Sequence, residues 1–280
     1  MVALRRKTTV YSFVRLIVIV CICMLHGYKP AHAQNMTTAC ASPRVRRAWG
    51  TLSTTEKQLY LDAVMAAMSS GNHALFLDIH SDSASGNEGH RTCGMLYWHR
   101  RFILAYENML RSLEPRFACL TIPYWDYYTD YAKKTTSLCS TFENCSMILS
   151  EFGGSAGPVS TKSIGGTSLT GNCVDGSQVS PSLNLTTSFS LSSFCQNSSV
   201  SGTDCWKCVP RDNWALKIFP SGFSLASLAR LISVVTAPAQ PFSNFAQNLH
   251  YGAHNTIHNS AGSMMATLWA SADPIFYNHQ

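Results

Sequence analysis

Between Trp98 and Pro115 the apolar residues Phe102, Tyr106, Met109, Leu110 and Leu113 fall at i, i+4, i+7, i+8 and i+11. That spacing draws one stripe down one face of an α-helix, and Pro115, which has no N–H to donate, ends it. A single apolar face is stable only when something covers it, so a core of packed helices is expected. A second helix is marked by Ser53-Thr54-Thr55-Glu56. This is a capping box, in which the Ser53 hydroxyl and the Glu56 carboxylate satisfy each other's free backbone donors, and it predicts a helix over 54–69. Helical patterns return over 224–235 and 243–259, separated by Pro238 and Pro241. No internal repeat is present.

The stretch between Phe152 and Thr203 is different in kind, because its only charged residues are Lys162 and Asp175, and Ser, Thr and Gly dominate. Residues 150–205 are therefore expected to be a loop-rich, cysteine-pinned insertion within one domain spanning 34–280. Overall, 46% of the 280 residues are hydrophobic and only 13% charged, enough apolar surface for a real core. The net charge of +6 is local: Arg5, Arg6, Lys7, Arg15 and Lys29 precede residue 34, where there is no acid. Without those five, 21 − 5 = 16 bases face 15 acids. A near-neutral remainder has no electrostatic footprint for nucleic acid or for an anionic membrane surface.

The same basic residues, the apolar run 16–25 and Ala31-His32-Ala33 read as a secretory signal peptide over 1–33, cleaved before Gln34. Ten apolar residues fall short of the ~20 that span a bilayer, so no membrane attachment is expected after cleavage. A secreted, glycosylated product is expected, with sequons at Asn35, Asn144, Asn184 and Asn197. Nine cysteines lie beyond the leader, so disulfides are expected and at least one thiol is left over. Cys205-x-x-Cys208 has no second such pair, and is read as structural disulfide rather than zinc or redox chemistry. Cys93 is expected in a disulfide or as a buried thiol.

Eight histidines also lie beyond the leader. His254 and His258 are an i, i+4 pair that projects from one helical face and can share a metal. A zinc-protease motif is ruled out, because Asn255 stands where HExxH requires glutamate. His90 and His99, nine apart, would lie on opposite faces of one helix at about 100° per residue. They converge only if His90 sits in the loop before the helix near Trp98, and His80, at the end of the preceding helix, then closes a three-histidine group. His73 is the alternative to His80. Imidazole clusters without carboxylates suit copper and zinc rather than di-iron chemistry.

These residues resemble the tyrosinase, catechol oxidase and haemocyanin family of type-3 copper proteins. The resemblance rests on His90-Arg-Thr-Cys-Gly-Met-Leu-Tyr-Trp98-His99-Arg100-Arg101-Phe102 with Glu107, on Pro123-Tyr124-Trp125-Asp126, and on His254-Asn255-Thr256-Ile257-His258 followed by Asp273-Pro274-Ile275-Phe276. It implies a mainly α fold around a four-helix bundle, two copper ions, and oxidation of phenols and catechols to o-quinones by O2. His80, His90 and His99 would bind one copper, and His254 and His258 the other. The family's last ligand is the second histidine of a DPxF-x-x-His-His segment. Here that position is Gln280, preceded by His279, and the bundle's last helix, which continues past it in the family, is expected to be missing. Met95 replaces the usual aromatic, and no histidine has the cysteine neighbour that forms a thioether in some members. Asn255 resembles the asparagine that positions a water for monophenol deprotonation. Arg100, Glu107, Tyr124 and Asp126 are read as residues that tether helices. The implied partners are phenolic small molecules and O2; the alternatives are a haemocyanin-like oxygen carrier or a catalytically incomplete homologue.

Overall fold

Two neighbouring starts set the helical layout. Ser53 Oγ accepts from the Glu56 amide at 3.3 Å and the Glu56 carboxylate accepts from the Ser53 amide at 2.8 Å, so α1 (Thr54–Ser69) begins at the expected box. Gly71, in the left-handed region at φ 82°, then turns the chain directly into α2 (Asn72–Ser81). The computed structural model describes residues 40–174 and 208–280, apart from positions 42, 91, 165 and 166. The chain divides into two compact units, Met1–Ala41 and Ser42–Gln280, and the described helices and strands all belong to the second. The expected leader, and the sequons at Asn35, Asn184 and Asn197, lie outside the described residues.

The buried face of α1 carries Tyr60, Leu61, Val64, Met65 and Met68 and packs on α2 and on α4 (Met95–Leu113). In α4 the stripe is longer than the sequence reading placed it: Met95 and His99 extend Phe102, Tyr106 and Leu110 at i−7 and i−3. One histidine thus lies on the core-facing side of the best amphipathic helix, and His73, Leu77 and His80 make the equivalent face of α2.

Between them the expected loop is a helix. Residues Ser83–His90 form α3, whose start Asp82 secures by accepting from the Ala84 and Ser85 amides at 3.0 and 2.9 Å. His90 is therefore the last residue of a helix rather than part of a loop. Convergence with His99 survives because α3 and α4 are separate helices packed on one another. Their approach needs Gly89, since a Cβ there would lie 3.1 Å from the Trp98 ring.

After α4, Asp126 caps α5 (Tyr127–Thr135), accepting from the Thr129 amide and hydroxyl at 3.2 and 2.7 Å, and Glu107 accepts from the Ile122 amide at 2.9 Å. Both carboxylates tether chain, as expected from sequence. The Ser/Gly/Cys-rich region adds strands that the sequence pattern does not announce. β1 (Val159–Ile164) and β2 (Thr167–Val174) pair antiparallel from Val159↔Asn172 to Ile164↔Thr167, and β3 (Val209–Arg211) joins β2 through Cys173↔Pro210. Cys173–Cys208 and Cys139–Cys145 are disulfides, so Cys208 is structural; Cys205 lies outside the described residues. Cys93 is free and exposed, contrary to expectation.

The C-terminal part runs through α6 (Leu228–Val235), capped by Ser227, and α7 (Phe242–Leu249), which passes through a π-turn at His250–His254 into α8 (Asn255–Ala261). The first part of the expected 224–235 helix is instead 3-10, because Ser227 spends its hydroxyl on the Arg230 amide and starts the helix there. The expected 243–259 helix is kinked at Gly252, whose φ −83° and ψ −107° are not helical.

The final short helix, α9 (Phe276–His279), is held from two sides. Asp273 forms a bidentate pair with Arg211, both contacts at 2.8 Å and both side chains almost wholly buried. Arg211 also donates to the Phe152 and Gly154 carbonyls at 2.9 Å each. On the other side Arg46 donates to the carbonyls of Gln280 at 2.7 Å, Tyr277 at 3.1 Å, Ile122 at 3.2 Å and Pro123 at 3.3 Å. Asn278 Nδ2 donates to the Pro123 carbonyl at 3.0 Å. The PYWD segment, α9 and the N-terminal arginine are thereby one knot.

Candidate metal centre

His80 comes from the last turn of α2, His90 from the end of α3 and His99 from the start of α4. Their ring centroids lie 4.8 Å (80–90), 4.9 Å (90–99) and 5.7 Å (80–99) apart. Every Nδ1 faces a backbone carbonyl: Leu268 for His80 at 2.7 Å, Gly86 for His90 at 2.9 Å, Met95 for His99 at 3.0 Å. A carbonyl only accepts, so Nδ1 carries the proton and donates, and the lone pair is left on Nε2. One ligand atom from each ring lies within 4.8 Å of the others. The Nε2 atoms of His80 and His99 are buried with no hydrogen-bond partner among the described residues. Burial, reinforced by the neighbouring imidazoles, pushes His80 down to about 4 and His99 to about 2; burial also lowers His90.

His254 ends the π-turn and His258 lies one turn on in α8, with ring centroids 4.5 Å apart. His258 Nδ1 donates to the Met265 carbonyl at 2.6 Å and His254 Nδ1 to Asn255 Oδ1 at 3.0 Å. Their Nε2 lone pairs accept from the Gln280 amide nitrogen at 2.9 and 3.0 Å respectively. His279 is buried beside them, stacked on His254 at 5.2 Å and edge-on to His258 at 4.7 Å, and neither of its ring nitrogens has a hydrogen-bond partner. Burial first, then neighbouring imidazoles, holds His254 and His258 well below the usual histidine range, and burial takes His279 to about 3. The two groups meet where the His99 and His254 rings are 5.6 Å apart.

His73 stands outside both groups: its Nδ1 pairs with the Tyr106 hydroxyl at 2.8 Å and its Nε2 with the Ala272 carbonyl at 3.1 Å. Of the two alternatives read from sequence, His80 is the one beside His90 and His99. Sequence spacing assigns no role to His250, which lies 5.3 Å from His254 and 6.5 Å from His90, ring to ring. Nor does it reveal the Leu268 and Met265 carbonyls that fix His80 and His258, since no residue type marks a backbone acceptor.

His99, His254, His279 and Gln280 line a cavity of about 470 Å³ whose apolar wall includes Ile103, Leu231 and Ala253. Among the described residues that line it, Arg46 and Arg100 are charged and none is acidic.

Residues 68–279 match the tyrosinase family over what is described as the common central domain of tyrosinase. That span contains both histidine groups, and the chain belongs to this family. It is similar to a tyrosinase of Streptomyces glaucescens, 26% identical over 246 residues that cover 84% of this chain and 78% of the relative. Grixazone synthase of Streptomyces griseus is 31% identical over 107 residues, 35% of this chain and 34% of that protein. The tyrosinase-like protein phomQ1′ of Diaporthe leptostromiformis is 27% identical over 262 residues, 88% of this chain and 62% of its own length. The family implies copper. The first histidine group fits it, with three neutral imidazoles whose Nδ1 atoms are spoken for and two orphaned, buried Nε2 atoms.

Proposed function

We propose that the protein is a copper-dependent oxidase that converts phenols and catechols to o-quinones with O2. His80, His90 and His99 would hold one copper of a type-3 pair, and His254 and His258 would provide two of the donors for the other. The observation that carries this reading is the meeting of the two groups at His99 and His254, 5.6 Å apart, on one cavity. When bound, the copper pair supplies a two-electron acceptor, matched to a catechol that loses two electrons and two protons on becoming an o-quinone.

The rest is done by the protein. Backbone carbonyls fix the tautomer and tilt of His80, His90, His99 and His258, so the donors are in place before metal arrives. Burial keeps the imidazoles unprotonated, which a ligand must be. The apolar wall of Ile103, Leu231 and Ala253 excludes water from a planar aromatic substrate and offers it favourable contact. Asn255 would position a water through its amide nitrogen or the second lone pair of Oδ1, the first being taken by His254 Nδ1.

In the same reading the protein travels the secretory pathway, its leader removed after Ala33. The Cys139–Cys145 and Cys173–Cys208 disulfides fit an oxidising compartment, and no helix among the described residues is long and apolar enough to cross a membrane. The test is quinone formation from catechol by the copper-loaded protein, followed optically beside the chelator-treated protein and the His99→Asn variant. Turnover in the first alone supports the proposal. Reversible oxygen uptake without quinone would point to an oxygen carrier, and turnover that survives His99→Asn would overturn the assigned centre.

A further inference from the structure

The two histidine groups differ in how their metal-facing atoms stand without metal. In the first, the buried Nε2 atoms of His80 and His99 have no partner. In the second, the Nε2 atoms of His254 and His258 both accept from the Gln280 amide nitrogen, at 3.0 and 2.9 Å. Donors and acceptors balance. Asn255 Oδ1 and the Met265 carbonyl take the Nδ1 protons, so both Nε2 atoms are acceptors, and an amide NH2 has two protons to give. Gln280 is held for this task by its backbone, with its amide bonded to the Phe276 carbonyl at 3.0 Å and its carbonyl clamped by Arg46 at 2.7 Å.

His279 is the rival third donor: one of its ring nitrogens lies within 4.8 Å of one from each of His254 and His258, and both of its ring nitrogens are buried with no hydrogen-bond partner among the described residues. Its ring, however, stacks on His254 with planes 30° apart and centroids 5.2 Å apart. Imidazole lone pairs lie in the ring plane, so stacked rings send them side by side rather than to a common point. Adjacent residues on a helix also diverge by about 100°, and it is the side chain of Gln280 that reaches both acceptors.

We infer that Gln280, not His279, is the third group of the second metal site, and that the two sites are in consequence unequal. This rests on the copper reading above. At the first site a metal would satisfy buried atoms that no described residue satisfies. At the second a metal would have to displace the two hydrogen bonds from Gln280, whose side chain has Oε1 as the donor it could offer instead. A carbonyl oxygen is a harder donor than imidazole and suits Cu(I) less well. Giving up two ordinary hydrogen bonds alone weakens the second site by roughly thirtyfold relative to the first.

The experiment is an anaerobic Cu(I) titration of the full chain against a chromophoric Cu(I) chelator, which reads the affinity of each equivalent without turnover. The variants are Gln280→His, Gln280→Leu and His279→Phe, each checked for folding by circular dichroism. The expected result is one tight equivalent and a second at least tenfold weaker. Gln280→His should draw the two together, Gln280→Leu, which removes the competing hydrogen bonds and the Oε1 donor together, should change the second equivalent and not the first, and His279→Phe should leave both unchanged. Two equally tight equivalents in the wild type would overturn the inference and leave the proposed function standing. So would loss of the second equivalent in His279→Phe with none in Gln280→Leu. If neither equivalent binds more tightly than to a His80→Ala/His258→Ala control, the inference and the copper reading fail together.

Discussion

Replacing Asp273 with Asn tests how the second half of the site is held in place. The Arg211 and Asp273 side chains are 2% and 0% exposed, so the substitution leaves a guanidinium buried without its counter-charge. Breaking a buried pair from one side costs about 3–5 kcal/mol, most of it the unpaired charge. Two of the four hydrogen bonds of Arg211 go to the Phe152 and Gly154 carbonyls and survive, which places the expected loss near the lower bound, about 3 kcal/mol. Asp273 Oδ1 also accepts from the Ile275 amide at 3.1 Å, at the entry to α9. An Asn oxygen can still accept from the Ile275 amide, but the Asn NH2 then faces the Arg211 Nε–H, and that donor-to-donor clash should loosen Gln280 as well as the fold. Equilibrium urea denaturation of the metal-free protein reads the first effect as a midpoint lowered by ~1 M, for a slope of about 3 kcal/mol/M. The affinity of the second Cu(I) equivalent reads the second. A loss below about 1 kcal/mol would refute the reasoning, because it would mean that the pair is already solvated or dispensable.

The same geometry sets four other expected outcomes. His73→Asn should lower stability by about 2 kcal/mol, through the lost Ala272 or Tyr106 bond, yet leave bound copper unchanged, whereas His80→Asn should lose the first equivalent; copper analysis of both separates them. The metal-free protein should lose stability as pH falls from about 6.5 to about 4. His73, His80 and His99 are neutral when folded, with values pushed down to about 4, 4 and 2, so the unfolded chain binds more protons throughout that window. Urea midpoints that stay flat over that range would contradict this. Gly89→Ala should cost about 1–3 kcal/mol by forcing a methyl onto the Trp98 ring 3.1 Å away, and should weaken the first copper equivalent by shifting His90; thermal melting and titration report the two effects. Arg46→Met should lower stability by about 2 kcal/mol and weaken the second equivalent more than the first, since the arginine clamps the Gln280 carbonyl.

Much of this site is legible in the sequence where ligand and helix share a periodicity. The pairing of His254 and His258, one turn apart, follows from spacing, whereas the place of His99 on the apolar stripe of Phe102 shows only in the structure. The Ser53 capping box is equally local and appears as read. What escapes is set at long range. The Leu268 carbonyl that orients His80 is 188 residues away in sequence, and the Arg211–Asp273 pair spans 62. The β1–β2 hairpin escapes because Ser, Lys, Gly and Asn stand between its β-branched residues Val159, Thr161, Ile164, Thr167, Thr170 and Val174, so no unbroken strand pattern shows and pairing completes the strands. His90 reads as a loop residue because Gly86 and Gly89 read as breakers; one Asp82 cap and the packing against Trp98 make that segment helical.

The central claim is that two histidine groups facing one cavity couple a catechol to O2. Oxygen consumption by the copper-loaded protein, measured with an electrode while quinone is followed optically, tests it most directly. Electron balance predicts one O2 taken up for every two catechols oxidised, with both signals lost in His99→Asn and in His258→Asn. Oxygen uptake without quinone, or quinone formation that persists in either variant, would contradict the account.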